Sequence, residues 1–203
     1  PNKEQEDAIE EISRGMGKGF SPYLLYGITG SGKTLVYLKL IEKVVESGKK
    51  AMYLLPEIAL TERPLSYLLS RFPGRVRVLH SGLTGGERYE EWRRILKGDF
   101  DVIVGARSSL FSPAGGLGLI IVDEEHDPSY KQEEGVRYNA RDAALMLAKI
   151  LGIPVVLGSA TPSIETFHNA RTGKITAVYL KKRVGGITMP DVEILDMKKN
   201  KGE

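Results

Sequence analysis

Short apolar runs, many of them rich in β-branched residues, alternate with amphipathic stretches along the chain. Six of these runs are predicted to form strands, at residues 23–26, 51–55, 76–80, 101–104, 119–122 and 155–157. Several are apolar at every position, which is typical of strands buried on both faces of a parallel sheet. The pattern therefore predicts an α/β fold with an open, mostly parallel sheet and helices on both of its faces.

Three of the amphipathic stretches are bounded by helix start or stop signals. Residues 33–46 precede Ser47-Gly48, and glycine is common just past a helix C-terminus. Thr84 and Glu87 have the spacing of a capping box, which predicts a helix running to about residue 96. Asn139 is a suitable cap for a helix over residues 140–150.

The single tryptophan of the chain lies in the second of these predicted helices. Trp92 has helical spacing with Tyr89, Ile95 and Leu96, and such a stripe more often packs than binds a ligand. We therefore expect these four side chains to lie against the core or against a partner.

The composition is that of an ordinary globular domain and excludes several classes of chemistry. Hydrophobic residues make up 41% and charged residues 27% of the 203 residues, and the net charge of +3 permits nucleic-acid binding without arguing for it. Cysteine is absent, which excludes disulfides, a thiol nucleophile and a cysteine-built zinc site. No apolar run approaches the roughly 20 residues of a membrane span, and the start at Pro1 resembles no signal peptide. We expect a cytoplasmic segment of a longer protein, with no membrane partner.

Residues 27–34, Gly-Ile-Thr-Gly-Ser-Gly-Lys-Thr, match the phosphate-binding pattern G-x-x-x-x-G-K-[ST] between a predicted strand and a predicted helix. In this motif the backbone N–H groups and the helix N-terminus surround a phosphate. The lysine neutralises the β and γ phosphates, and the last hydroxyl binds Mg²⁺. The expected nucleotide-binding residues are Gly27, Thr29, Gly30, Ser31, Gly32, Lys33 and Thr34.

Two carboxylates follow the apolar run 119–122, at the sheet edge where ligands of such folds bind. Asp123 is expected to hold Mg²⁺ through its water shell, and Glu124 to orient and deprotonate an attacking water. Together with Lys33 they predict hydrolysis of a nucleoside triphosphate, with ATP and Mg²⁺ bound.

Asp123 and Glu124 begin the sequence Asp-Glu-Glu-His, and Gly158-Ser159-Ala160-Thr161-Pro162 follows a further apolar run. These motifs resemble those of the first motor lobe of superfamily 2 helicases. With the segments 54–61, 80–83, 104–111 and 127–142, they most resemble the bacterial replication-restart DNA helicases, in the expected order over nearly the whole chain. The resemblance implies a RecA-like lobe over residues 1–180. The basic stretch 181–203 is then a linker or the start of a further domain.

The resemblance also implies residue roles beyond the phosphate site. Gln5, expected just upstream of the first helix, corresponds to an adenine-reading glutamine, and His126 is expected to report the γ-phosphate to Ser159 and Thr161. The turns after three strands are expected to bind the phosphates of single-stranded DNA. The expected contacts there are Glu57, Thr61, His80, Ser81, Arg107 and Ser108.

The polar segment 127–141 interleaves aromatic residues with cations, a composition typical of base stacking with phosphate neutralisation. In the resembled family an aromatic-rich loop at this place senses single-stranded DNA and triggers ATP hydrolysis. Asn139 stands where the family has histidine, so the resemblance does not by itself imply stacking at this position. The expected DNA contacts are Tyr130, Lys131, Arg137, Tyr138 and Arg141.

Partners follow from the resemblance alone: single-stranded and forked DNA, a second RecA-like lobe, and primosome and single-strand-binding proteins. A zinc-binding insertion is expected outside these residues. Because 203 residues provide no second lobe, we expect this chain alone to bind Mg-nucleotide weakly and hydrolyse ATP poorly. Another superfamily 2 translocase or an RNA helicase is the alternative, and a nucleotide switch or a DNA-binding module without catalysis also stays open.

Overall fold

A computed structural model describes residues 1–56 and 62–184 of the chain; Glu57, Thr61 and most of the basic stretch 181–203 lie outside these ranges. Nine strands are described: β1 Ser21–Gly27, β2 Lys50–Leu54, β3 Val76–Leu79, β4 Val102–Gly105, β5 Leu117–Val122, β6 Lys131–Gln132, β7 Tyr138–Asn139, β8 Pro154–Ser159 and β9 Thr176–Leu180. Six α-helices are described: α1 Lys3–Ser13, α2 Lys33–Glu46, α3 Glu62–Arg71, α4 Gly85–Leu96, α5 Ala140–Leu151 and α6 Ile164–Arg171. Short 3₁₀ turns cover Arg107–Phe111 and Pro128–Tyr130.

Seven strands form one parallel sheet in the order β3-β4-β2-β5-β8-β1-β9. Strands β6 and β7 form a separate antiparallel hairpin. The predicted α/β fold is therefore confirmed, and all six predicted strands belong to the main sheet. Because the strands are parallel, their carboxyl ends meet at one edge, where the predicted phosphate and carboxylate motifs come together.

Successive residues of the central strands point into two different cores. In β2, Ala51 and Tyr53 pack with α1 and α2 on one face, and Met52 and Leu54 pack with α5 on the other. Each fully buried aliphatic side chain contributes about 1.5–3 kcal/mol on leaving water. The two apolar layers fix the sheet between its helices.

The helix boundaries follow local capping chemistry. Helix α2 covers the predicted range, and Thr84 and Glu87 form the predicted capping box at the start of α4. The first helix differs from the expectation: it begins at Lys3, so Gln5 lies inside it and not upstream. The reason is a second capping box, in which Asn2 N–H donates to Gln5 Oε1 at 2.8 Å and Gln5 N–H donates to Asn2 Oδ1 at 3.0 Å. Within the described ranges, no helix has the length and apolarity needed to cross a bilayer.

Helix α4 buries less of its apolar stripe than its sequence predicts. Ile95 lies in the core, but Tyr89, Trp92 and Leu96 are 67%, 43% and 71% exposed, so core packing is wrong for these three. The helix packs against β3, an edge strand of the sheet, and buries Ile95 there. The other apolar residues of α4 are left on the surface.

Candidate nucleotide site and its connections

The loop between β1 and α2 has the backbone of a phosphate cradle. Gly30 and Gly32 have φ angles of 79° and 83°, a left-handed conformation that glycine adopts without strain. A side chain on Gly32 would collide with the Gln5 amide nitrogen. The buried Lys33 side chain places Nζ 3.0 Å from the Gly27 carbonyl and 3.6 Å from Glu124 Oε1. A cation therefore lies between the loop and the carboxylate motif.

Two neighbouring groups show that this loop fits a bound phosphate. The hydroxyl of Ser31 is buried and has no hydrogen-bond partner among the described residues, so an acceptor oxygen would satisfy it. Thr34, at the start of α2, is half-buried beside it. Because Mg²⁺ on a nucleotide keeps several waters and makes few contacts with the protein, Thr34 and, through water, Asp123 would be enough to hold it. No group of three or more His, Cys, Asp or Glu residues that could hold a metal occurs within the described part of the chain.

Gln5 is buried against the phosphate loop, and its surroundings differ from those of an exposed residue at a helix start. Its Nε2 donates to the Ser31 carbonyl at 2.9 Å while its Oε1 accepts from Asn2. The Nε2 end of the amide thus ties the loop to α1 and the Oε1 end caps α1 itself, and one further donor and one further acceptor position remain on the amide. Adenine recognition by Gln5 stays a prediction.

The segment after β9 lies on the same loop from the other side. The Val184 N–H donates to the Gly30 carbonyl at 2.9 Å. The Glu4 carboxylate, in the first turn of α1, accepts from the N–H groups of Lys181 and Lys182 at 2.9 and 3.1 Å. The phosphate loop is therefore held between the two ends of the described chain.

Asp123, at the end of β5, lies among hydroxyl groups that sequence reasoning missed. Tyr37 of α2 donates to Oδ1 at 3.0 Å, Tyr53 of β2 donates to Oδ2 at 3.2 Å, and the Glu124 N–H also donates to Oδ1 at 3.0 Å. Burial and the nearby Glu124 charge raise the pKa of Asp123 above its usual value. Burial and the Asp123 charge raise the pKa of both tyrosines far above neutrality, so they remain protonated donors. The available signal was tyrosine in otherwise apolar elements, because a buried hydroxyl needs a partner.

Glu124 has an unusual backbone for its position. With φ of 45° it is the one non-glycine residue in the left-handed region among those the structure describes, a conformation that costs about 1–2 kcal/mol. The turn is held by the Glu125 N–H on the Gly158 carbonyl at 3.0 Å and by the Asp127 N–H on the Glu124 carbonyl at 2.8 Å. It places the Glu124 carboxylate between Lys33 Nζ, at 3.6 Å, and His126 Nδ1, at 3.7 Å.

His126, Ser159 and Thr161 come together as expected from the resemblance. His126 Nδ1 lies 2.8 Å from Ser159 Oγ, and Nε2 lies 3.2 Å from Thr161 Oγ1. The Thr161 N–H also donates to Ser159 Oγ at 2.9 Å. The end of β8 is thus hydrogen-bonded to the acidic motif after β5, and signalling between the two stays a prediction.

Glu125, whose role the sequence did not suggest, is the most buried member of the acidic motif at 1% exposed. Its carboxylate accepts from the Ser163 N–H at 2.7 Å, the Ser163 hydroxyl at 3.1 Å and the Thr166 hydroxyl at 2.9 Å. The Arg141 guanidinium completes the set, with Nη1 3.3 Å from Oε2. Glu125 therefore joins the start of α5 to the start of α6.

Two of the predicted DNA contacts in the segment 127–141 are wrong, because their side chains are buried. Tyr130 is 1% exposed, and its hydroxyl donates to the Asp123 carbonyl at 2.7 Å instead of facing a base. Arg141 is also buried, and it donates to Glu125, to Asp142 and to Ser163. Both residues connect the segment to the nucleotide site and are unavailable for DNA.

The other predicted contacts of this segment lie on the surface. Lys131 and Arg137 are exposed, and Tyr138 is half-buried with its ring edge-on to the exposed Phe111 at 5.0 Å between centroids. A cavity of about 600 Å³ opens beside the β6–β7 hairpin. It is lined by Lys131, Gln132, Glu133, Arg137, Tyr138, Asn139 and Asp142. The Asn139 side chain accepts from the Arg141 N–H at 2.9 Å, which makes it the cap of α5.

The turns after β3 and β4 differ in what they offer a DNA strand. Ser81 and Ser108 are exposed and His80 is half-buried, so all three can reach a ligand. Arg107 instead donates from Nη1 to the carbonyls of Ser129 and Lys131 at 3.0 and 2.7 Å. Its guanidinium holds the start of the hairpin in addition to any contact with a phosphate.

Comparison with known proteins identifies the family of the chain. The chain belongs to the DEAD/DEAH box helicase family, whose pattern matches residues 2–170. It is similar to the replication restart protein PriA of Bacillus subtilis, with 46% identity over 196 residues covering 96% of this chain and 24% of the relative. PriA of Haemophilus influenzae is 44% identical over 197 residues, covering 97% of this chain and 27% of the relative. The chain thus spans about a quarter of the length of these relatives.

Solved structures agree on the architecture. RecG bound to a three-way DNA junction superposes with a TM-score of 0.68 at 24% identity, covering 92% of this chain and 24% of that one. An ATP-dependent RNA helicase from Sulfolobus tokodaii, described as hypothetical, gives 0.62 at 18% identity, covering 89% and 52%. These likenesses show the fold of a RecA-like helicase lobe.

Proposed function

We propose that the chain is the ATP-binding motor lobe of a DNA helicase that acts in replication restart. It binds and hydrolyses Mg-ATP, and the hydrolysis drives translocation on single-stranded DNA and unwinding at branched forks. The main support is the arrangement at the carboxyl edge of the sheet, where the Glu124 carboxylate lies 3.6 Å from Lys33 Nζ of the phosphate loop and 3.7 Å from His126 Nδ1.

The residues of the site divide the chemistry among them. The backbone N–H groups of the phosphate loop and Lys33 bind the nucleotide phosphates. Thr34 would hold Mg²⁺ through its hydroxyl and Asp123 through the ion's water shell. When bound, the ion neutralises charge on the phosphate oxygens. Glu124 orients the attacking water and accepts its proton at the carboxylate. We expect the second lobe to close the cleft and supply an arginine, which is why this chain alone should hydrolyse ATP slowly.

Coupling of hydrolysis to DNA follows from how the hairpin is attached. Its amino side is fixed by Tyr130 to the Asp123 carbonyl, and its carboxyl side by Arg141 to Glu125. Glu124 lies between these two attachment points in the sequence. A DNA strand that moves the hairpin therefore moves the residues on either side of the general base.

The experiment measures ATP hydrolysis by the full-length protein without nucleic acid and with a DNA fork, duplex DNA or RNA. We expect the fork to stimulate strongly. Glu124→Gln should lower kcat by about 10²–10⁴-fold while ATP binding persists, and Lys33→Ala should weaken both. Glu90→Gln, an exposed glutamate on α4, is the matched control and should behave as wild type.

Each contrary result has a definite meaning. Hydrolysis that survives Glu124→Gln would remove Glu124 as the general base. Equal or greater stimulation by RNA would favour an RNA helicase. No stimulation by any nucleic acid would favour a nucleotide switch.

A further inference from the structure

A small cavity of about 180 Å³ lies at the carboxyl edge of the sheet, away from the phosphate loop. It is formed by the end of β3, the start of α4 and the turn after β4. Its lining residues are Leu79, His80, Leu83, Arg88, Trp92 and Ser108. Two of them, His80 and Ser108, belong to the turns expected to hold DNA phosphates. The cavity is therefore continuous with the expected path of the strand.

Hydrogen bonds fix the walls of this cavity. The Ala106 N–H and the Ser109 hydroxyl both donate to the Leu79 carbonyl at 3.2 Å, which holds the β4 turn against the end of β3. Arg88 Nη2 lies 3.4 Å from the His80 carbonyl, and the capping box at Thr84 sets where α4 begins. The cavity is thus formed before any ligand arrives, which lowers the entropic cost of binding.

The chemistry of the cavity suits a flat, partly polar ring. The indole of Trp92 is 43% exposed, an uncovered aromatic surface next to a guanidinium, an imidazole and a hydroxyl. The volume is below the 300–1,000 Å³ of ordinary small-molecule sites, so only one ring system would enter. Aromatic side chains beside cations are the usual platform for bases of single-stranded nucleic acid, because every base has a π face.

We propose that this cavity is a base-binding subsite, in which one base of the bound single strand stacks on Trp92 beside Arg88. The inference rests on the proposed function and adds to it a contact with a base, whereas the neighbouring turns contact phosphates. Continuity with His80 and Ser108 favours DNA over a protein side chain as the occupant. Tyr89, on the same helix, does not line the cavity and is not part of the subsite.

The test measures binding of a fluorescent single-stranded oligodeoxynucleotide to the full-length protein at fixed salt. Trp92→Leu should weaken binding about 5- to 150-fold, the range for one stacked base. Trp92→Phe should retain most of the affinity because it keeps a stacking ring. Tyr89→Leu is the matched control, since it removes a more exposed aromatic residue from the same helix, and it should bind as wild type.

A set of oligonucleotides with one abasic position each identifies the contact without relying on a single variant. For the wild type, one abasic position should weaken binding, and the same position should have no further effect in Trp92→Leu. The subsite is wrong if Trp92→Leu binds the intact strand as tightly as the wild type does. It is also wrong if no abasic position loses its effect in Trp92→Leu. The motor assignment stands in either case. If the wild type binds no single-stranded DNA and shows no DNA-stimulated hydrolysis, the proposed function itself fails.

Discussion

Burial in the fold makes the Asp123 carboxyl group difficult to ionise, and two tyrosine hydroxyl groups donate hydrogen bonds to its carboxylate. Burial and the Glu124 charge raise its pKa, and the hydrogen bond from Tyr37 acts in the opposite direction. Because its pKa is higher in the folded chain than in the unfolded one, Asp123 binds its proton more tightly when folded. Its contribution to stability is therefore present at low pH and is lost as pH rises through the folded pKa. The ionised Asp123 makes the folded chain less stable than an uncharged side chain at this position would. Bound Mg²⁺ would offset that loss of stability.

Tyr37→Phe should shift the acid limb of the pH–rate profile towards higher pH. The substitution removes the donor that favours the charged carboxylate, so the pKa of Asp123 rises further and the carboxylate takes up its proton at a higher pH than in the wild type. The measurement is kcat against pH for DNA-stimulated hydrolysis by the full-length protein. Tyr67→Phe is the control, since its hydroxyl bonds to Glu42 instead. An acid limb that stays in place or moves to lower pH would contradict this account of Asp123.

Glu125 should contribute more to stability than any exposed carboxylate near it. Glu125→Gln places an amide against three donors and leaves the buried Arg141 guanidinium with the exposed Asp142 as its nearest carboxylate. Removing one partner of a buried pair costs about 3–5 kcal/mol. Urea unfolding of the 203-residue chain should show this loss. Glu165→Gln, which removes an exposed carboxylate 4.0 Å from the same guanidinium, should change the free energy of unfolding by less than about 1 kcal/mol. Similar losses in the two variants would show that burial is not the cause.

At the scale of elements, β8 passes so close to α2 that one of its residues must be glycine. A Cβ on Gly158 would overlap the Tyr37 hydroxyl, the same group that bonds to Asp123. Gly158→Ala should therefore destabilise the chain by about 1–3 kcal/mol, as overpacking of a rigid core does, and should weaken hydrolysis as Tyr37 shifts. Thermal unfolding and an ATPase assay measure the two effects.

The matched control for Gly158 is a glycine with free space. Gly86, in the first turn of α4, has no atom of the described residues within 4 Å of a Cβ placed on it. Gly86→Ala should leave stability unchanged or raise it by up to about 1 kcal/mol, because alanine favours the helix. If both substitutions have the same effect, close packing at Gly158 is not what requires glycine there.

The elements that could be predicted from the sequence are those with clear local chemistry. Apolar runs identified the six buried strands, and capping residues identified the start of α4 and α5. Helix α6 was not predicted from the sequence because its apolar pattern is misleading: Ile164 is 85% exposed while Thr166 is buried. Strand β9 was not predicted because the prediction relied on continuous apolar runs. This strand lies at the sheet edge, where buried and exposed residues alternate.

In the site, too, residues within one sequence motif could be predicted, whereas contacts between residues far apart in the sequence could not. The phosphate loop and the acidic motif are contiguous in sequence, so their residues were predictable. Tyr53 bonds to an atom 70 residues away, and Arg141 to one 16 residues away across two strands. The mixture of aromatic residues and cations in segment 127–141 is the same whether they face DNA or the interior. Only the packing of α5 against the sheet shows that Tyr130 and Arg141 face inward.

At the scale of the whole molecule, the nucleotide site and the β6–β7 hairpin are joined by a few specific bonds. The Tyr130 hydroxyl reaches the Asp123 carbonyl, and Arg107 holds the carbonyls on either side of Tyr130. We therefore expect displacement of the hairpin to change the backbone that positions Asp123 and Glu124. The bond is made to a carbonyl and not to the carboxylates proposed to act in catalysis, so we class Tyr130 as a positioning residue.

Tyr130→Phe should separate hydrolysis from its stimulation by DNA. The ring that fills the core is kept, so basal hydrolysis by the full-length protein should stay within about twofold of the wild type. The lost hydrogen bond, worth about 1 kcal/mol, should lower DNA stimulation by roughly fivefold. Tyr138→Phe is the control, because it removes a hydroxyl from the same hairpin and leaves the bond to Asp123 intact. Full stimulation in Tyr130→Phe would mean that the hairpin acts through Arg141 and Glu125 alone, whereas a parallel loss of basal activity would mean that Tyr130 supports the site without transmitting the signal.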